Sequence, residues 1–306
     1  MIDLTVFAVP VFIATMIAEA AMLRQRPELK GYRRRDTRAS LVMGTVNVLI
    51  NLAMKGVQLA ILGWFATLAP WHLDPQAWQT WAIGVVAVDF AYYWFHRSSH
   101  DVRLLWAAHV NHHSSEHYNL STALRQSWTT PLTSLPFYWP LALIGLDPLM
   151  ILTLEALNTL YQYWIHTELI DRLPVPLEAI FNTASHHRVH HGTNIEYLDR
   201  NHAGIFIVWD KLFGTFESEA RPVRYGLTKN IGSFNPLVIA FHEYTAIARD
   251  LRRASSLRDA LGYLFAPPGW SPDGSTLTSR QLRAAAGGRA ESGSDAVGEA
   301  APALAG

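Results

Sequence analysis

Apolar and polar positions in this chain fall in long blocks rather than in a short repeat. Residues 4–23, LTVFAVPVFIATMIAEAAML, are apolar apart from threonines and Glu19. At 1.5 Å per helical residue such a run is long enough to cross a bilayer. Asp3 is the only charge before it, so the run lacks the basic lead of a cleaved signal and is expected to stay as a span. A basic loop follows, with Arg24, Arg26, Lys30, Arg33, Arg34, Arg35 and Arg38 against Glu28 and Asp36, and it is expected on the cytoplasmic side. A second apolar stretch, 41–69, is broken by Asn47, Asn51, Lys55 and Gln58 and ends in WHLDPQAW, a loop without Lys or Arg. Residues 78–95 return as a third span. Two further apolar segments, 131–146 and 149–165, are turned at Gly145-Leu146-Asp147-Pro148 and are either spanning or re-entrant. Residues 204–216, GIFIVWDKLFGTF, read as amphipathic and interfacial, and 234–265 as a mixed helical stretch. The Gly/Ser/Ala-rich end, 284–306, reads as disordered. The pattern predicts an all-α integral membrane protein with about four to five membrane helices. Its membrane-embedded domain is expected over 1–265, followed by a low-complexity tail at 266–306.

The histidines give this topology a purpose. Eight of the fourteen fall in three clusters, His96-x3-His100, His109-x2-His112-His113 and His187-x2-His190-His191. Residues three and four apart share a helix face, so each cluster can turn its rings to one spot. The topology places all three at the cytoplasmic ends of the apolar segments, facing one compartment. Burying that many imidazoles without partners is costly, and coordination satisfies them. A pair and two triplets exceed what one metal needs, which points to a two-metal site in a cytoplasmic helical cap.

Composition narrows the metal. With no cysteine, thiolate sites and iron–sulfur clusters are excluded. A zinc-protease HExxH is absent, because Arg97, Asp101, Val110 and Arg188 stand where its Glu would be. Soluble di-iron bundles use Glu and Glu-x-x-His, whereas this chain offers mainly neutral nitrogens. Two irons held that way keep more positive charge and are more electrophilic towards oxygen. A formal net charge of zero gives no sign of a nucleic-acid surface. Among acids near the boxes, Asp101, Glu116, Glu168 and Asp171 either orient ligand N–H groups or are solvated loop charges, the latter favoured for Asp171. Asp89 lies inside the third span, seven residues before His96. It is expected to support the ligands or to pair with Lys55 or Arg125.

At these residues the chain resembles the fatty acid hydroxylase/sterol desaturase superfamily of membrane di-iron oxygenases. The stretches DFAYYWFHRSSH (89–100), LWAAHVNHHSSEHYNLSTALRQS (105–127), QYWIHTEL (162–169), FNTASHHRVHHG (181–192) and WDKLFGTFESE (209–219) carry the resemblance, and their wording is nearest its alkylglycerol monooxygenase-like branch. The resemblance covers roughly residues 80–230. It implies iron ligation by His96, His100, His109, His112, His113, His187, His190 and His191, with His166 as a further ligand. His186 is expected as a ligand or, preferably, a donor behind one; His117 and His202 have weaker claims, and His72 and His242 read as surface residues. Asp101 stands where that branch carries Glu, and with Glu116 it is expected to orient ligands.

The resemblance also implies two Fe ions, O2 and a lipid substrate from the bilayer. Its reductant would be tetrahydrobiopterin or, in the alternative, an electron-donor protein. The expected reaction is hydroxylation of an alkyl chain, with cleavage if the lipid is an ether. The rival readings are a sterol, carotenoid or fatty acyl hydroxylase or desaturase, and a membrane metal- or haem-binding protein without catalysis. Animal members continue further beyond the third box. This short form, the Ala/Arg-rich tail and the absence of a sorting signal lead to the expectation of a bacterial inner membrane.

Overall fold

The computed structural model of the chain describes residues 4–292. Among them the first half forms α1 (Leu4–Leu23), α2 (Arg34–Ala66), α3 (Trp78–Asp101), α4 (Arg103–His113), the short α5 (Leu120–Ala123) and α6 (Thr130–Thr133), then α7 (Leu135–Leu143) and α8 (Pro148–Tyr163). The second half forms α9 (Val175–Ile180), α10 (Ala184–His190), α11 (Val208–Leu212), α12 (Pro236–Arg253), α13 (Leu257–Phe265) and α14 (Ser279–Ser292). The only extended pairing among the described residues is two isolated bridges, Phe181 with Phe206 and Gly192 with Tyr225.

The helices start and stop where local chemistry requires. Asp147 caps α8 by accepting from the backbone of Leu149 and Met150, both at 2.9 Å, and Pro148 takes the first helical position, where no N–H is needed. Gly145 before it has φ +92, and a Cβ there would lie 2.6 Å from the Trp71 carbonyl oxygen, so only glycine fits this turn. A core of Leu62, Val88, Ala91, Tyr138, Leu141, Ile151 and Leu154 joins α2, α3, α7 and α8. A second apolar group, Ala39, Met43, Ile239 and Ala240, seats α12 on α2. A third, Leu120, Ala123 and Tyr163 with Phe12 and Met16, seats α1 on α5 and α8.

One described helix, Arg34–Ala66, is long and apolar enough to cross a membrane, and Phe7–Leu23 is a shorter apolar helix. The segments expected at 131–146 and 149–165 make helices of 9 and 16 residues. At about 14 and 24 Å they fall short of a hydrocarbon core of about 30 Å. Of the two arrangements open for them, these lengths favour the re-entrant one.

Three other expectations are corrected. Residues 204–216 hold only the five-residue α11, and Asp210 in it is buried, so this is not an interfacial amphipathic helix. Its carboxylate instead serves a loop described below. The stretch 234–265 divides at Ala254, where the backbone turns extended. The tail is helical from Ser279 to Ser292, and Arg283 donates to the Leu198 carbonyl oxygen. Residues 293–306, the rest of the expected disordered end, lie outside the described residues.

Candidate metal centre

α3 and α4 pack against each other, α8 packs on α3, and α10 completes a cup from the other side of the sequence. Into this cup the nine histidines sort into two groups. His96, His100, His109, His113 and His190 form one, and His112, His166, His187 and His191 the other. Within each group the ligand atoms all lie within 4.8 Å of one another. Helix geometry explains the sorting. On α4, His109 and His113 are four apart and face the first group, while His112, one position from His113, turns to the second. On α10, His187 and its i+4 neighbour His191 join the second group, and His190 the first. The groups adjoin, since the His113 and His191 rings stack with centroids 4.4 Å apart.

Hydrogen bonding fixes which nitrogens face inward. His96 Nδ1 donates to the His202 carbonyl at 2.7 Å, His190 Nδ1 to the Arg200 carbonyl at 2.9 Å and His166 Nδ1 to the Gln162 carbonyl at 2.7 Å. A carbonyl only accepts, so these neutral rings carry the proton on Nδ1 and turn an Nε2 lone pair to the centre. There His96 Nε2 meets His109 Nε2 at 2.9 Å, and His166 Nε2 meets those of His112 at 3.1 Å and His187 at 3.0 Å. The Nε2 atoms of His100, His190 and His191 are buried without any hydrogen-bond partner. Burial holds His109, His113, His187, His190 and His191 well below the ordinary imidazole pKa, and takes His166 down to about 4. Neutral, converging and orphaned nitrogens are what a pair of cations would satisfy, so the residues present fit two metal ions.

The supporting shell comes mainly from one loop. Asp199, Arg200 and His202 supply acceptors to His100 (3.2 Å), His190 and His96 in turn. The loop is tightly held: Asp199 and Asn201 adopt φ of 51 and 57, a left-handed conformation that Asp and Asn tolerate better than most residues. Asp210 accepts from the backbone of His202 and Ala203, both at 2.8 Å. Asp89 accepts from Ile205 (2.7 Å), Phe206 (3.0 Å), Trp209 Nε1 (2.8 Å) and Asn158 (2.6 Å). A Cβ on Gly204 would lie 2.8 Å from that carboxylate, so the glycine lets the loop close on it. Asp89 therefore supports the ligands through this loop, whereas Arg125 pairs with Asp36 at 2.5 Å. Asp89→Ala would orphan four buried donors, with an expected loss of about 3 kcal/mol or more. Thermal unfolding in detergent checks this; a loss below 1 kcal/mol contradicts it.

Residues 81–215 match the fatty acid hydroxylase family model, and that segment contains all nine histidines of the two groups. Over 271 residues the chain is 42% identical to the alkylglycerol monooxygenase of Homo sapiens, covering 87% of this chain and 59% of that protein. Residues 81–215 thus form a segment similar to the fatty acid hydroxylase family. Its similarity extends to the ornithine lipid hydroxylase of Rhizobium tropici, 30% identical over 48% of this chain and 44% of that one. It also extends to the lathosterol oxidase of Mus musculus, 26% identical over 47% of this chain and 48% of that protein. No solved structure matches this chain. The chain spans about 59% of the length of the human relative.

Not every expected site residue joins the centre. Asp101 is exposed and paired with Arg97 at 3.5 Å, and Glu116 is exposed, its carbonyl accepting from Lys30 at 3.3 Å. Neither carboxylate bonds a histidine of the two groups, so the structure does not bring these two to the candidate centre. Glu168 interacts with Tyr225, and Asp171 is exposed. His186 engages Glu178 at 3.0 Å and the Phe181 carbonyl at 3.2 Å, away from both groups. His117 contacts the Gly31 carbonyl at 3.2 Å, His242 the Ile239 carbonyl at 3.0 Å, and His72 is exposed. His202 is the residue that sequence reasoning undervalued. Its ring lies 4.9 Å from that of His100, and its Nδ1 is buried without a partner.

Proposed function

We propose that this chain is an integral-membrane, O2-dependent di-iron mono-oxygenase of the fatty acid hydroxylase family that hydroxylates the alkyl chain of a lipid. The observation that carries the reading is a cavity of about 480 Å³ joining the metal centre to the flank between α1 and α2. His109, His112 and His166 line one end, and Val9, Ile13, Leu41 and Leu49, all exposed, line the flank. Along α8 the lining runs from Glu155 to Tyr163, about 12 Å at helical rise, with His166 just beyond the helix end. A passage of this length with a largely apolar wall is suited to an extended alkyl chain. The substrate thus enters sideways from the bilayer. The exposed Phe7, Val11 and Ile17 of α1 and Leu49 of α2 are the apolar surface expected to face lipid.

When bound, the two irons would supply O2 activation and oxidation of the alkyl C–H. His96, His100, His109, His113 and His190 would hold one, and His112, His166, His187 and His191 the other. The carbonyls of Gln162, Arg200 and His202 and the carboxylate of Asp199 keep the rings oriented, and the apolar cavity wall excludes water from the chain. Overall, substrate, O2, two electrons and two protons give the alcohol and water. On an alkylglycerol, the substrate class named by the human relative, hydroxylation beside the ether oxygen gives a hemiacetal that collapses to an aldehyde and glycerol. The electrons come from tetrahydrobiopterin or a redox-protein donor.

The domain proposed to do this covers residues 1–265, with the histidine core at 80–230. The basic loop bears on orientation: Lys30 reaches the Glu116 carbonyl, and Asp36 meets Arg125, which in turn donates to Ser114 at 3.1 Å beside His113. This loop and the metal centre lie on one face, which by the positive-inside rule is cytoplasmic, with a bacterial inner membrane as the proposed location. Lipid profiling of membranes with and without the protein, supplied with reduced pterin or a ferredoxin-type donor, tests the proposal. Loss of labelled alkylglycerol with pterin supports it. A new hydroxy-acyl or hydroxysterol lipid with an unchanged ether pool supports the rival substrates, and no turnover with either donor supports a non-catalytic metal protein.

A further inference from the structure

The C-terminal helix α14 lies beyond the family match, which ends at residue 215, and carries no histidine. It nevertheless docks onto the loop that supports the five-histidine group. Its first residue, Ser279, lies beside the Asp199 carboxylate. One turn on, Arg283 places NH1 3.9 Å from Asp199 Oδ2 and donates to the Leu198 carbonyl oxygen. The other carboxylate oxygen, Oδ1, is the atom 3.2 Å from His100 Nδ1. α14 thus flanks Asp199 on one side, and the other carboxylate oxygen faces a ligand ring. The flanking contact matters, because Asp199 stands in the left-handed region at φ 51, where a non-glycine residue holds only if its surroundings impose it.

The approach to this contact is also built. Trp270 covers Gly262 of α13 and sits edge-on to Tyr263 at 5.6 Å, and the Ala266 carbonyl accepts from Arg103 at the start of α4 at 3.1 Å. These contacts lead the segment after α13 back over the loop, so Ser279 and Arg283 arrive in a fixed place.

We infer that Arg283 and Ser279 are positioning residues for the five-histidine metal, acting through Asp199 and His100. A carboxylate behind a ligand histidine fixes its tautomer and makes it a stronger donor. Here the carboxylate takes its orientation from a helix outside the family core. The consequence is selective. Of the two groups, only the five-histidine one contains His100, so loosening α14 should weaken one metal and spare the other.

This rests on the di-iron reading above, and the test separates the two. Full-length protein in detergent is loaded with Fe(II) alone, then challenged with graded chelator while bound iron per chain is counted. Wild type is expected to release its two equivalents at similar chelator concentrations. Asp199→Asn should release one equivalent at about 10- to 100-fold lower chelator and keep the other. Arg283→Ala should shift one equivalent by about tenfold, with Arg283→Lys returning release most of the way to wild type. Unchanged release in both Asp199→Asn and Arg283→Ala would overturn the inference, as would parallel loss of both equivalents, which signals general loosening. Failure of wild type to take up two irons would instead count against the di-iron reading itself.

Discussion

Replacing His109 or His190 by alanine is expected to abolish turnover and lower bound iron from about two per chain to one or fewer. Both belong to the five-histidine group, on α4 and α10 respectively, so each removes a ligand from a different wall of the cup. His109 Nε2 is in contact with both His96 and His113, at 2.9 and 3.0 Å. Its loss therefore leaves two inward lone pairs without a cation between them. His190 Nε2 is buried with no hydrogen-bond partner among the described residues, and a metal ion would satisfy it. Alanine removes a ligand in each case without adding bulk, and the helices that carry them keep their packing residues. Iron analysis alongside activity checks the result. Full activity with two irons in either variant would refute the ligand assignment.

The second large effect is expected from Val48→Trp. Val48 is half-buried on α2 and lines the cavity, eight residues or about 12 Å beyond Ser40. Ser40 accepts from Arg125 at 3.1 Å and so marks the level of the metal centre on that helix. An indole at 48 would close the passage to a long chain while leaving every ligand in place. For a 16-carbon alkyl substrate, kcat/KM should fall about 100-fold, equivalent to about 2.7 kcal/mol, with both irons retained. An 8-carbon chain, which ends short of the obstruction, should lose far less. If long and short chains fell equally with iron intact, the cavity would not be the path of the chain.

The gathering of the histidines was legible because helical spacing encodes it. The i, i+3 and i, i+4 repeats put all eight box histidines where their helices face each other, and His166 lies with them just beyond the end of α8. Spacing could not give the division into five and four, since that depends on how α4 and α10 are rotated against α3. The supporting groups were harder to see. Asp101 and Glu116 were chosen for closeness in sequence, but a residue directly after a ligand on a helix is turned about 100° away. Asp101 accordingly faces solvent. The acceptors that serve His96 and His190 are backbone carbonyls of the 199–202 loop, and a carbonyl leaves no mark in sequence. The two Asx residues at positive φ were the available signal. Likewise, the low-complexity composition after 266 concealed a helix whose Arg283 and Ser279 are tied to the site.

The most direct measurement is metal analysis and spectroscopy of the purified, full-length protein. Two bound irons per chain, with the coupled spectroscopic signature of an iron pair, is the predicted result, matching one imidazole cage of five nitrogens beside another of four. A single zinc per chain, or a haem absorption spectrum, would contradict it.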